Sequence, residues 1–281
     1  MSPFQRRLSF TAVALAFATA TWAAASQTAK QPYDTFFYTH EKLRLEAYVY
    51  WPAGAGPFPL VVYNHGSRGT LARTEQPYPF IGRLFRDAGY AVLVPERRGY
   101  GKSDGPTFAD VVGTSRGATY VRRLQEETGD ALAAVDDLLS RHSSRLDPRK
   151  VAIMGFSAGG VVTVFGAARS GRFAAVVTQA SGAFSWPLSP ELQRELPAAA
   201  RRVRVPALCM VAENDTTTES ERRVCEGVKA NGAAADLMVY PHYTPKGDPD
   251  GIAPGHLLFN EEGVSIWRRD VLAFLARHFG A

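Results

Sequence analysis

The chain has 281 residues, 46% of them hydrophobic and 21% charged, which fits one well-cored α/β domain and excludes a disordered polypeptide. Its formal net charge of +5 falls to +3 without Arg6 and Arg7. The remaining basic residues are scattered except at Arg97-Arg98 and Arg201-Arg202-Val203-Arg204, which read as solvated surface or substrate-mouth charge and not as a nucleic-acid face.

Arg6 and Arg7 form a positive start, and Leu8 to Thr21 is mostly apolar but short for a membrane span. Ala23-Ala24-Ala25 then offers an A-x-A cleavage site before Ser26. Residues 1–25 are therefore expected to be a signal peptide. The mature protein would be exported, periplasmic or extracellular, with no stable membrane association once the signal is removed. Residues 26–32 read as a short lead into a single domain spanning 26–281. From Phe36 to Trp51 apolar residues recur with period two, predicting an antiparallel hairpin. Leu60-Val61-Val62-Tyr63 reads as a buried strand ending at Asn64-His65-Gly66. A helix is predicted over Tyr78 to Ala88 and a buried strand at Ala91 to Val94. A polar loop from Glu96 to Thr107 leads to a long helix ending near Ser140. Further strands are expected at 151–154, 174–177, 207–211 and 237–240, with helices near 220–230 and 266–279. Alternation of this kind predicts a mostly parallel, twisted sheet of about eight strands with helices on both faces. The proline-bounded insert 184–203 is the candidate lid.

The sharpest local signal is "VAIMGFSAGGVV", Val151 to Val162. A buried strand gives way to Gly155-Phe156-Ser157-Ala158-Gly159, and helical spacing of apolar residues follows. Two glycines remove Cβ atoms where backbones must nearly touch, leaving Ser157 at the apex of a strand–turn–helix G-x-S-x-G elbow. A serine hydroxyl is a weak nucleophile that needs a base, and the base needs an orienting acid. Asp215, just past a strand end, is the expected acid, with Glu213 as the alternate. His256, in "APGHLLF", is the expected base, with His242 as the alternate and His278 placed on the surface. An oxyanion hole needs two backbone N–H groups. Ala158 supplies one at a helix N-terminus, and Ser67 in "NHGSRG" the other, with Arg68 as its alternate. Phe184 and Trp186 mark a partly apolar substrate mouth.

Two loops or pairs invite other readings. "KGDPDG", Lys246 to Gly251, resembles a metal loop but offers too few oxygen ligands, so a turn is expected and no metal. Cys209 and Cys225 are the two cysteines. Strand and helix rises place both about 10–12 Å below the top of the sheet, which favours a Cys209–Cys225 disulfide over two separate buried thiols.

The blocks "VVYNHGSRG", "VPERRGYGKSDG", "VAIMGFSAGG", "MVAENDTTT" and "APGHLLF" together resemble the α/β-hydrolase superfamily over roughly residues 33–281. The compact form is similar to its dienelactone hydrolase-like and prolyl-oligopeptidase-like branches. Glu96 to Gly105 looks like the superfamily's D-x-R-G-x-G-x-S loop, with Glu96 in place of Asp. Ser157 stands where true dienelactone hydrolases carry cysteine. The resemblance implies an α/β-hydrolase fold and a cofactor-free serine hydrolase acting on a small-molecule ester. A peptidase for short peptides, holding a free terminus through Arg201, Arg202 or a loop acid, is the alternative within the scaffold. A non-catalytic binding protein on the same scaffold is the alternative outside it.

Overall fold

The computed structural model describes residues 31–247, 249 and 251–280. The expected signal peptide and the two aspartates of "KGDPDG", Asp248 and Asp250, lie outside the described residues. Within residues 32–281 eight strands form one sheet in the order β1-β2-β4-β3-β5-β6-β7-β8. The antiparallel hairpin β1 (Asp34–His40) and β2 (Leu43–Tyr50) lies at one edge, and β2 pairs antiparallel with β4 (Ala91–Glu96). From β4 onward all neighbours are parallel, through β3 (Phe58–Asn64), β5 (Leu146–Phe156), β6 (Ala175–Gln179), β7 (Ala207–Ala212) and β8 (Ala235–Tyr240). This is the open α/β-hydrolase sheet.

Both faces are covered, so the central strands are apolar on both sides. Val151 and Ile153 of β5 enter one core, while Ala152 and Met154 enter the other. The first core is closed by α2 (Phe108–Val112), α3 (Ala118–Arg141), α4 (Ala158–Arg169), α5 (Pro190–Ala200) and α6 (Glu219–Ala230). The second is closed by α1 (Pro79–Asp87) and α7 (Val264–Phe279), whose Trp267 is fully buried. Among the described residues no helix is long and apolar enough to cross a membrane.

Several sequence expectations change here. The insert 184–203 is less a lid than a wall: α5 buries Leu192, Leu196, Ala199 and Ala200 and packs against α4 and α6. Trp186 is buried in the first core beside it, because its 3₁₀ turn (Trp186–Leu188) points the indole inward. Arg97 and Arg98 are not surface charge. Arg97 is wholly buried, pairing with Glu127 at 2.8 Å and donating to the His65 carbonyl at 2.8 Å, and Arg98 pairs with Asp130 at 2.8 Å. Cys209 on β7 and Cys225 on α6 are free, buried thiols, not the expected disulfide. The neighbouring Cys225 thiol, with burial, pushes the Cys209 thiol up.

Candidate active site

The strand–turn–helix from β5 to α4 forces Ser157 into a left-handed conformation, φ 56° and ψ −121°. The flanking glycines make this possible by close approach. A Cβ on Gly155 would collide with the Gly159 carbonyl, and one on Gly159 with the Asn64 and His65 carbonyls at the end of β3. Strand β6 and the turn after it clamp the elbow from the other side. Ser157 N–H donates to Gln179 O at 2.9 Å, and Gly182 N–H donates to Ser157 O at 3.1 Å. Backbone strain of this kind persists only where surroundings over-determine it.

Asp215 follows β7 and His256 lies in a 3₁₀ stretch (Pro254–Phe259) after β8. The two loops are sewn together. Gly255 N–H donates to Asn214 O at 3.2 Å, and the Asn214 side chain brackets the Tyr243 backbone at 2.8 and 2.9 Å. Any side chain at Gly255 would strike the Asp215 backbone, which explains the glycine before His256. As a result His256 Nε2 lies 3.0 Å from Ser157 Oγ, and His256 Nδ1 lies 3.0 Å from both Asp215 oxygens. Asp215 Oδ1 also accepts from Thr216 N–H at 2.6 Å. The acid and the imidazole are buried, 9% and 6% exposed, while Ser157 is only half-buried. The alternates Glu213 and His242 face each other at 3.8 Å on the surface, with side chains 57% and 74% exposed, and line no part of the cleft.

Ser67 is exposed and Ala158 opens α4. Among the described residues neither N–H has a turn, loop or cap acceptor, and both line the cleft that holds Ser157. The Arg68 N–H, the alternate donor, likewise has no turn, loop or cap acceptor among the described residues, but Arg68 does not line the cleft that holds Ser157. Its guanidinium pairs with Glu96, Nη1 to Oε1 at 3.0 Å, and bonds the Ala72 carbonyl at 3.2 Å. Burial pushes the Glu96 carboxyl up to about 7, and Arg68 offsets this only in part. Buried charges thus fix the Ser67 loop: Arg68 through Glu96, and Arg97 through His65 O and Glu127. Burial, with Arg97 and Arg68 nearby, pushes the His65 pKa well down, so its ring is a neutral wedge stacked on Tyr78.

The cleft above Ser157 has a volume of about 320 Å³, with Phe108, Tyr120, Phe184 and Ile252 as apolar walls. Phe184 lines it as the sequence predicts, while Trp186 does not. Arg201 and Arg202 are likewise absent from it. Its cation is Arg116, which sequence reasoning missed: it lies in a polar turn before α3 that carries no motif. Among the described residues its guanidinium bonds only backbone carbonyls, Ser115 O at 2.8 Å and Gly113 O at 3.4 Å, and its buried Nε has no partner. A further lobe of about 470 Å³ adjoins the cleft across Ser67, Phe156 and Asn260. No group of three or more metal-ligating side chains occurs among the described residues.

A family model described as "Dienelactone hydrolase family" matches residues 45–244. The chain belongs to the dienelactone hydrolase family. One relative, the quorum-quenching protein AidA of Acinetobacter baumannii, is 30% identical over 148 residues, 53% of this chain and 43% of that protein. Among solved structures, an acylaminoacyl peptidase of Pyrococcus horikoshii superposes with a TM-score of 0.66 at 18% identity, over 88% of this chain and 41% of that one. A Pyrococcus furiosus esterase superposes with a TM-score of 0.62 at 18% identity, over 88% of this chain and 93% of that one. This chain therefore spans less than half the length of the AidA protein and of the peptidase, and nearly the whole of the esterase. At such identities the structures share its fold. Family membership therefore rests on the family model over residues 45–244, and the fold on both the model and the superposed structures.

Proposed function

We propose that this protein is an exported serine hydrolase that cleaves carboxylic esters through an acyl-enzyme on Ser157. The observation that carries the reading is the continuous line from Ser157 Oγ through His256 to Asp215, each link 3.0 Å long, beside two cleft-lining residues whose N–H groups have no turn, loop or cap acceptor among the described residues. Ser157 Oγ attacks the ester carbonyl while His256 Nε2 takes its proton. Asp215 fixes the tautomer, so that Nδ1 carries the other proton, and stabilises the imidazolium. The carbonyl oxygen, now negative, is held by the N–H groups of Ser67 and Ala158. Collapse expels the alkoxide, which takes the proton from His256. Water, deprotonated by the same imidazole, then releases the acid.

Arg116 adds a preference for substrates that carry an acidic group, because its cation lines the cleft without a carboxylate partner among the described residues. The same residue supports the peptidase reading, in which it would hold the carboxylate of a short peptide. An ester series with neutral and acidic substituents, assayed beside acylated dipeptides, separates the two. The expected result is turnover of esters with dipeptides slower by orders of magnitude, and a KM for acidic esters that rises about tenfold in Arg116→Ala. Faster cleavage of dipeptides than of esters would replace the ester reading with the peptidase one.

A further inference from the structure

The lobe of about 470 Å³ beside the catalytic cleft has a distinct chemistry. Its walls include Tyr63, Tyr78, Phe80 and Phe156, with Pro77 and Pro79 between them. Three of these rings are joined: Tyr78 lies 5.5 Å from Tyr63, edge-on, and 6.2 Å from Phe80, with its other neighbour the stacked imidazole of His65. Charged residues also line the lobe, but each is already matched. Glu75 pairs with Lys102 at 2.7 Å, Glu261 with Arg83 at 3.1 Å, and Arg68 with Glu96. A further strain marks the place. Tyr78 caps α1 with φ 54°, a left-handed conformation normally given to glycine. The tyrosine ring is kept there at the expense of backbone comfort.

The stereochemistry of the reaction assigns the lobe a role. In the tetrahedral intermediate the carbonyl carbon carries Ser157 Oγ, the oxyanion, the leaving oxygen and the acyl group. The leaving oxygen must face His256, which protonates it, and His256 lines the first lobe but not this one. The oxyanion faces the N–H groups of Ser67 and Ala158. The acyl chain takes the remaining position, and the lobe opens beside the cleft across Ser67, Phe156 and Asn260, the walls the two share. We propose that this aromatic lobe is the acyl subsite, and that the acid half of the preferred ester is an uncharged aromatic group stacked against Tyr78 and Phe80. The inference rests on the ester-hydrolase reading above and adds to it which side of the ester is aromatic.

The test compares phenylacetyl with cyclohexylacetyl esters of one alcohol, and separately benzyl with cyclohexylmethyl acetates. In the native protein the phenylacetyl ester should lead in kcat/KM by about threefold to tenfold, the range expected for one aromatic pair beyond area burial. That ratio should fall toward one in Tyr78→Gly, where glycine accepts the left-handed backbone, and in Phe80→Leu, which keeps apolar volume. Each ratio is internal to one preparation, so partial unfolding of a variant does not alter it. Direct titration of Ser157→Ala with the same two acyl esters should show the same order of affinity, and it decides the lobe even if the native protein hydrolyses neither ester. A ratio near one in the native protein, a ratio unchanged in both variants, or an aromatic preference confined to the alcohol series would overturn the assignment.

Discussion

The two sides of the candidate site are built on different physics. On the acid–histidine side, position is set by backbone packing. Gly155, Gly159 and Gly255 let main chains touch, and short loop hydrogen bonds join Asn214 to Gly255 and Tyr243. On the oxyanion side, position is set by buried charge. Arg97 and Arg123 share Glu127 at 2.8 and 2.9 Å, Arg97 holds the His65 carbonyl, and Arg68 is locked to Glu96. Backbone contact is cheap to maintain and local in effect. A buried ion network is costly to desolvate, but breaking one member strands the others. The oxyanion loop carries no glycine packed as tightly as those of the elbow, so it borrows its rigidity from side chains far away in sequence.

The contrast can be broken from either side. The largest effect belongs to the nucleophile: Ser157→Ala should lower turnover by a factor on the order of 10⁶ while leaving the melting curve in place, and a fluorophosphonate probe should label only the native protein. Next come its partners. His256→Ala should approach the same loss, and Asp215→Asn should cost about 10⁴ through the wrong imidazole tautomer, while His242→Ala keeps near-native kcat/KM. An inactive His242 variant beside an active His256 variant would reverse this assignment. On the charged side, Glu127→Gln leaves Arg97 and Arg123 without their shared carboxylate. It should destabilise the fold by about 3–5 kcal/mol in denaturant titration. Activity lost with no change in the denaturation midpoint would show that the network does not support the fold.

The smallest effect is the pH dependence of Glu221, a buried carboxylate on α6 that accepts from Thr178 Oγ1 at 2.8 Å and from Ser181 N–H at 2.6 Å. Burial pushes it up to about 7, against those two hydrogen bonds and with Asp215 raising it further. A carboxyl raised above its unfolded value contributes stability that is complete in acid and is lost as pH rises through the folded value. Relative to Glu221→Gln, native stability should therefore fall by about 2 kcal/mol between pH 5 and 7. A stability difference that stays constant over that interval would mean that Glu221 is ionised throughout. Because Ser181 follows the β6 end that accepts Ser157 N–H, the same comparison reports on the strand clamping the elbow.

Much of the fold was legible because its signals are local. The buried apolar runs at 60–63, 91–94, 151–154 and 207–211 are all strands, and the long helix ends at Arg141, one residue past its expected end. Ser157, Asp215 and His256 were singled out by strand-end position, and the structure brings those three side chains together. What was misread shares a different cause. Trp186 was placed at the mouth because an aromatic beside prolines carries no mark of direction, and its indole turned inward. Arg97 and Arg98 read in the sequence as solvated surface or substrate-mouth charge because charge is usually exposed, yet Glu127 and Asp130, one and two helical turns into α3 from Arg123, neutralise them in the interior. Depth along a strand and a helix puts Cys209 and Cys225 at one level, but depth says nothing of the lateral approach that a bond requires, and both thiols are free.

By itself the sequence determined the order of strands and helices, the elbow at Ser157 and the loops that bear its partners, since periodicity and glycine placement act between neighbours. Only the tertiary structure decided which charges are buried, that Arg116 lines the same cleft as Ser157, and that an aromatic lobe opens beside it. Those depend on residues dozens of positions apart meeting at one end of the sheet. The cost of burying a charge, or the gain from stacking a ring, exists only once the opposing surface is in place.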